Sequence, residues 1–341
     1  MISSKRILIT GGGGFIGTSL AERLVAADNE VVLCDVKFSG NSFEFSGLDG
    51  HRNIRLAEAD ILDSAEIEKL ARDAEIIVHM AAQVGVREVI RDAAYTLDVN
   101  YIGTSNLLKI AAQSSCCERF IMMSTSEIFG SNSFRVSENG NSLLSSVEDV
   151  RWCYCVSKLA GEQLAFSYYR QKGVPAVVIR PFNIFGPRRV GDHVVIRFIL
   201  RALANADLEV YGDGTQIRAW CYIDDICNAL LRALEVEGAV GQAFNIGNPL
   251  NTCTIYGLAR TIVGLCGSKS RIVFKAADFT DIDLRVPNIR KASEILDFAP
   301  RVELEEGLVA TIQWTREHFD VLAKATAREQ RDYVIGKRRR E

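Results

Sequence analysis

Residues 6–24 read RILITGGGGFIGTSLAERL, and the fold is decided there. A β-branched run, Arg6–Thr10, ends in a glycine cluster, and a helix-period segment follows from Phe15 to about Ala27. Gly11, Gly14 and Gly17 carry the spacing G-x-x-G-x-x-G. One glycine lets the chain turn tightly off the strand, one lets the backbone approach a pyrophosphate, and one lets the helix pack against the strand. The helix start then presents unpaired N–H groups to the phosphates. The second strand, Glu30–Cys34, is closed by an acid, Asp35, in VVLCDV. A carboxylate at that place accepts hydrogen bonds from an adenosine ribose and repels a 2′-phosphate, which selects NAD over NADP. Asp60, in AEADILD at the end of the third strand, reads as a neighbour of the adenine ring or as a helix cap.

Outward from this element the same rhythm repeats. Strands are predicted at Ile54–Glu58, Ile76–His79, Arg119–Met123 and Ala176–Arg180, with helices at Ser64–Arg72, Thr96–Ser114 and Cys155–Lys172 between them. Strand and helix in alternation make βαβ units, hence an α/β fold with a doubly wound parallel sheet. Ser131–Val150 is rich in Ser and Asn without a period and reads as a long loop near the site. Past Arg180 the alternation turns irregular, with helices near Val195–Asn205, Asp225–Val236, Tyr256–Cys266 and Leu304–His318. The expected division is a cofactor domain over 1–182 and a smaller α/β lobe over 183–325, some of whose segments return to the first domain. Residues 326–341, ending GKRRRE, read as a solvated basic tail.

Composition narrows the partners. The 341 residues hold 40 Lys and Arg against 43 Asp and Glu, so no general basic surface is available for a phosphate backbone, and no nucleic-acid partner is expected. Without a signal peptide or an apolar run of spanning length, no membrane partner is expected either, and the reading is cytoplasmic. The nine cysteines form no CxxC pair and the four histidines are dispersed, which supports neither a metal site nor a disulfide framework.

Tyr154 and Lys158 stand at i and i+4, on one helix face. An ammonium beside a phenol lowers the tyrosine pKa, so that a phenolate takes a hydroxyl proton as hydride leaves the same carbon. The chain holds three such pairs, the others being Tyr168/Lys172 and Tyr333/Lys337. Position chooses among them, because ligands of a doubly wound sheet sit beyond the carboxyl ends of the strands, where the following helices begin. Tyr154 is at a helix start, Tyr168 lies about 21 Å further along the same helix, and Tyr333 falls in the tail. The strand Arg119–Met123 delivers Ser124, Thr125, Ser126 and Glu127 to the same edge. A hydroxyl there relays a proton, and a carboxylate takes a carbon-bound proton or gives one to a leaving group.

With these residues in place the sequence resembles the extended short-chain dehydrogenase/reductase superfamily, in its group of NAD-dependent nucleotide-sugar epimerases and dehydratases. The stretches that carry the resemblance are TGGGGFIG, HMAAQ (79–83), VNYIGTSNLL (99–108), STSEIFG (124–130), YCVSK (154–158), RPFNIFGPR (180–188), VYGDGTQIRAWCYIDD (210–225) and FNIGNP (244–249). The resemblance implies a Rossmann-like fold. It implies NAD contacts from Gly11, Gly14, Phe15, Ile16, Gly17, Asp35, Asp60, Ile61, Ala81, Ala82, Asn100, Tyr154, Lys158 and Pro181. It also implies a nucleotide-diphosphate sugar, of UDP type, as substrate, with Ser126, Asn183, Arg218 and Arg285 holding it. Two arginines suit a diphosphate, since guanidinium forks bind phosphate oxygens bidentately.

The implied reaction begins with oxidation at sugar C4, with Tyr154 as base and Thr125 as relay. STSE, RW-x-Y-x-x-SK and RPFN-x-x-GPR are similar to the UDP-glucuronate decarboxylases. Ser126 stands where the dTDP-glucose dehydratases carry an aspartate. A 4-epimerase, a 4,6-dehydratase and, from another class, an NAD-binding regulator without turnover are the alternatives. Relatives dimerise through helices matching Thr96–Ser114 and Cys155–Lys172, which implies a homodimer.

Overall fold

The computed structural model describes residues 2–277 and 280–338, with side chains as far as Arg328. The first stretch of chain runs β1 (Arg6–Thr10), α1 (Phe15–Ala26), β2 (Glu30–Asp35), β3 (Ile54–Glu58), α2 (Ser64–Ala71), β4 (Ile76–His79), α3 (Val86–Arg91), α4 (Ala93–Leu97), α5 (Gly103–Gln113) and β5 (Arg119–Met123). Then come β6 (Asn132–Val136), α6 (Cys153–Lys172), β7 (Ala176–Pro181), β8 (Ile184–Phe185), α7 (Val194–Leu203), β9 (Leu208–Tyr211), β10 (Ile217–Ala219), β11 (Cys221–Tyr222) and α8 (Ile223–Glu235). The last stretch holds β12 (Ala243–Ile246), β13 (Thr252–Thr254), α9 (Ile255–Cys266), β14 (Ile272–Lys275), β15 (Leu284–Pro287), α10 (Arg290–Leu296), α11 (Leu304–Glu317) and α12 (Phe319–Arg338).

Seven strands form one sheet in the order β12-β7-β5-β4-β1-β2-β3, every pair parallel. Its central strands are apolar on both faces because helices cover both. Leu20 and Leu24 of α1 share one core with Ile226 and Leu230 of α8. Ile67 of α2, Leu107 and Leu108 of α5 and Ala165 of α6 fill the other. The order of strands reverses beside β1, between β4 and β2, which opens a crevice at their carboxyl ends.

The smaller lobe is built on a second sheet, β13-β10-β15-β6, over a core that includes Phe198, Trp220, Leu258 and Leu308. Here the structure corrects the sequence reading. The segment 131–150 is not loop throughout: its β6 pairs in parallel with β15, about 150 residues away, so no local pattern announces it. Nor is 326–341 a tail from its start, because α12 runs to Arg338 and takes in the backbone of Tyr333 and Lys337. Phe319, Leu322 and Ala323 recur at helical spacing and pack on Ile196 and Leu200 of α7. The side chains of Tyr333 and Lys337, and residues 339–341, lie outside the described residues. The helix expected at Thr96–Ser114 begins at Ala93, capped by Asp92, and passes through a π-turn at Asp98–Ile102. Among the described residues no helix is long and apolar enough to cross a membrane.

A buried ion pair fastens α6 to β7. Arg180 donates from Nε to Glu162 Oε1 at 2.9 Å and from Nη2 to Oε2 at 2.6 Å, while Nη1 reaches the Glu138 carbonyl at 2.8 Å. This two-pronged grip sets the position of the helix whose first turn carries Tyr154. Glu162→Ala strands the Arg180 charge in the interior. The expected loss is about 3–5 kcal/mol of unfolding free energy, read from urea denaturation at neutral pH.

Candidate active site

The crevice at the strand ends is shaped by glycines that cannot be replaced without moving backbone. Gly11 turns at φ +70°, and a Cβ there would stand 2.7 Å from the Ala81 amide nitrogen at the end of β4. A Cβ on Gly17 would stand 2.6 Å from the Gly11 carbonyl, so α1 could not lie so close to the strand. Asp35 accepts a hydrogen bond from the Gly13 amide at 3.0 Å. Burial pushes its carboxyl up, against the backbone N–H groups of Gly13, Lys37 and Val36. Every residue expected at the cofactor lines this crevice except Asn100. That side chain lies in the π-turn, accepting from the Gln83 amide at 2.8 Å and donating to Ser157 Oγ at 3.0 Å, so it braces the wall between β4 and α6.

The residues fit an NAD molecule on an observation independent of the motif. Ser124 Oγ is buried in the crevice wall beside Tyr154 and Lys158 with no partner among the described residues, the environment that a polar ligand group completes.

A second cavity of ≈ 600 Å³ opens from the crevice and shares Ile16, Tyr154, Pro181 and Arg189 with it. Thr125, Glu127 and Tyr154 meet there. Thr125 caps the short 3-10 turn Ser126–Phe129 by accepting from the Glu127 amide at 3.2 Å, and its hydroxyl is hydrogen-bonded to Tyr154. The Tyr154 phenol is raised well above its ordinary value, first by burial and next by the charge of Glu127. The lowered phenol expected from the Tyr154/Lys158 pairing is therefore not found in the structure. The Lys158 ammonium is spent elsewhere: 1% exposed, it donates to the Met123 carbonyl at 2.8 Å, and burial brings it down to about 8.

Glu127 sits in a cationic clamp. Arg151 donates from Nη1 to Oε2 at 2.7 Å and from Nη2 to Oε1 at 3.2 Å, and Arg285 Nη1 is 3.7 Å from Oε1. Burial alone would push this carboxyl up, but the charges of Arg151 and Arg285 outweigh it and hold it below the usual range. It is ionised at neutral pH, so it accepts hydrogen bonds and has no proton to donate. Sequence reasoning gave Arg151 no role; the signal was its place in RW-x-Y, three residues ahead of Tyr154 on the turn Val150–Trp152. Arg285 does not line the cavity and donates instead to the Gly130 carbonyl at 3.0 Å. Ser126 is buried and lines neither space.

A third cavity continues from the second through Asn183, Asp192 and His193, and reaches Arg218, Tyr211 and Trp220 in the smaller lobe. Asn183 anchors the junction by donating to the Ala219 carbonyl at 2.9 Å. Arg218 pairs with Asp281 at 3.0 Å. Three joined spaces thus run from the glycine turn to the smaller lobe, with Tyr154 where the first two meet.

Residues 7–247 match the model of the NAD dependent epimerase/dehydratase family. The chain belongs to that family. As a member it is an enzyme and its cofactor is NAD. It is 36% identical over 322 residues to a UDP-N-acetyl-alpha-D-glucosaminuronate decarboxylase of Bacillus cytotoxicus, covering 92% of this chain and 98% of that one. It is 36% identical to UDP-glucuronic acid decarboxylase 1 of Xenopus tropicalis, over 93% of this chain and 73% of the other. Among solved structures, the UDP-glucuronic acid 4-epimerase of Bacillus cereus, in complex with UDP-glucuronic acid and NAD, is similar at TM-score 0.84 and 29% identity, covering 92% and 99% of the two chains. The Rossmann-like sheet is the fold this chain shares with that structure.

Lys158 supplies a pH test. Its folded value of about 8 lies below the ordinary 10.5, so between the two the unfolded chain binds the extra proton and stability rises with pH. Relative to Lys158→Met, the natural protein should gain on the order of 3 kcal/mol across that window, measured by urea unfolding of both proteins near neutral pH and again near the top of the window.

Proposed function

We propose that this enzyme oxidises a UDP-uronate at C4 and releases its C6 carboxylate as carbon dioxide. The observation that carries the reading is the ionised Glu127, held by Arg151 in one cavity with Thr125 and Tyr154. The decarboxylase names of relatives matched along nearly the whole chain support it.

Bound NAD supplies the hydride acceptor for C4 and later the hydride donor. Tyr154 and Thr125 hold the C4 hydroxyl; Tyr154 loses its phenol proton to solvent beside the positively charged oxidised nicotinamide, and the phenolate takes the C4 proton. Once C4 is a ketone, the C6 carboxylate is β to it, and the electrons of the C5–C6 bond pass into the enolate as carbon dioxide leaves. Glu127 accepts hydrogen bonds from a hydroxyl or water beside C5 and orients it there. The hydroxyl or water that Glu127 orients gives C5 its proton, and as hydride returns to C4 the Tyr154 phenol gives its proton back to the C4 oxygen. Asn183 and Arg218 in the adjoining cavity take the nucleotide diphosphate. Arg285 acts through Glu127. Asn100 acts through the crevice wall, and Ser126 through the turn that presents Glu127.

A second reading, 4-epimerisation, is favoured by the likeness to the Bacillus cereus epimerase. Mass spectrometry of the products from UDP-glucuronate and NAD separates the two: loss of carbon dioxide is expected, and an unchanged mass with inverted C4 would replace decarboxylation by epimerisation. Tyr154→Phe should keep NAD binding and lower turnover by about 10²–10⁴-fold. Glu127→Gln should slow decarboxylation by a similar factor, whereas an unchanged rate would remove Glu127 from the chemistry.

We also propose a cytoplasmic homodimer. Nine cysteines without a disulfide suit a reducing compartment. Leu97, Tyr101, Ile102 and Val156 leave an apolar face, each residue 37–44% exposed, on the packed helices α4–α5 and α6. Light scattering after size exclusion should give twice the chain mass, and Ile102→Glu should bring it to one.

A further inference from the structure

Glu127 is one anion shared by two cations, and only one of these faces the cavity. Arg151, 3% exposed, covers both carboxylate oxygens, and Arg285 approaches one of them from a position that does not line the space. Arg285 is lowered by burial only to about 10, so both guanidiniums are charged at neutral pH beside an ionised glutamate. The trio therefore carries one positive charge beyond what it neutralises itself. The Nε groups of Arg151 and Arg285 are buried and have no partner among the described residues. A buried surplus charge is costly until an anion joins it.

The position of that anion follows from Tyr154 and Thr125, which mark the C4 hydroxyl. The substituent on C5 is its neighbour on the ring and falls beside the Glu127–Arg151 pair. A carboxylate there would meet like charge at Glu127 alone, but with Arg151 and Arg285 it completes two cations against two anions. A neutral hydroxymethyl group leaves the surplus in place.

We propose that Arg151 is the residue that selects a C6 carboxylate, moving part of its fork from Glu127 to the substrate when a uronate enters. The proposal rests on the uronate reading above. Because the contact is made in the bound ground state, it acts on affinity more than on the rate of carbon dioxide loss.

The test is made on NAD-saturated protein carrying Tyr154→Phe, whose turnover is slow enough for binding to be read before conversion. Calorimetry compares UDP-glucuronate with UDP-glucose, two ligands with the same nucleotide and diphosphate. The uronate should bind at least about ten-fold more tightly, and adding Arg151→Gln should erase the ratio while NAD affinity stays unchanged. A ratio that survives Arg151→Gln overturns the assignment of Arg151 and leaves the uronate reading standing. Equal losses for both ligands also overturn it, since they mark a purely structural role. No preference before Arg151 is changed overturns the uronate reading and the proposal together. Where Arg151→Gln does not fold, Arg151→Lys reads the same ratio: one ammonium cannot serve Glu127 and the substrate at once, so the ratio should fall, and an unchanged ratio overturns the proposal.

Discussion

The site depends on parallel strands that end level with one another. Thr10 of β1 is in register with His79 of β4, and His79 with Met122 of β5, so the chain leaves each strand at the same edge. The His79 ring locks this arrangement: Nδ1 lies 2.8 Å from Thr10 Oγ1 and Nε2 2.9 Å from Thr104 Oγ1. Burial brings the imidazole down to about 3, so the ring stays neutral and one nitrogen donates while the other accepts. A sheet edge, a glycine turn and the helix α5 are thereby joined through one side chain. The turn at Gly11 then needs no Cβ, because the end of β4 is already against it.

From that edge each functional group is placed by a short covalent reach. β5 ends at Met123, and the next four residues supply the cofactor wall, the hydroxyl next to Tyr154 and the ionised carboxylate. α6 brings Tyr154 and Lys158 from the opposite side and is held there by Glu162 and Arg180. The two halves meet electrostatically, since Glu127 raises the Tyr154 phenol while Arg151, one turn ahead of Tyr154, holds Glu127 ionised. A neutral phenol thus stands beside an ionised carboxylate in one cavity, two titratable groups set apart by their surroundings.

Much of this was legible in the sequence, and the exceptions share a cause. The bounds of β1, β4 and β5 are legible because parallel strands buried on both faces read as short apolar runs between turns, and those of β3, a largely exposed edge strand, through its place in the strand–helix alternation. Tyr154, Lys158, Thr125 and Glu127 lie together because strand ends and helix starts converge in this topology. β6 was missed because its partner β15 is remote and its residues are mostly polar. α12 was missed because only a narrow stripe, Phe319, Leu322 and Ala323, is apolar in a charged segment. Arg151 was passed over for a similar reason: a cation near the end of a polar stretch reads as solvated, and nothing local reveals a carboxylate 24 residues earlier in the chain. Composition could not say that the expected ammonium–phenol pairing would be pre-empted by the Met123 carbonyl.

β6 has a consequence for modularity. It follows directly from the segment that carries Glu127, yet it forms the edge of the smaller lobe's sheet against β15, while β12 returns from that lobe to the edge of the large sheet. The lobes are therefore interlaced and are not beads on a string. Grafting residues 183–325 from a relative to exchange sugar preference would set a foreign β15 against the native β6 and a foreign β12 against the native β7. A clean exchange has to carry residues 131–150 as well, and so moves the scaffold of the catalytic turn along with the pocket.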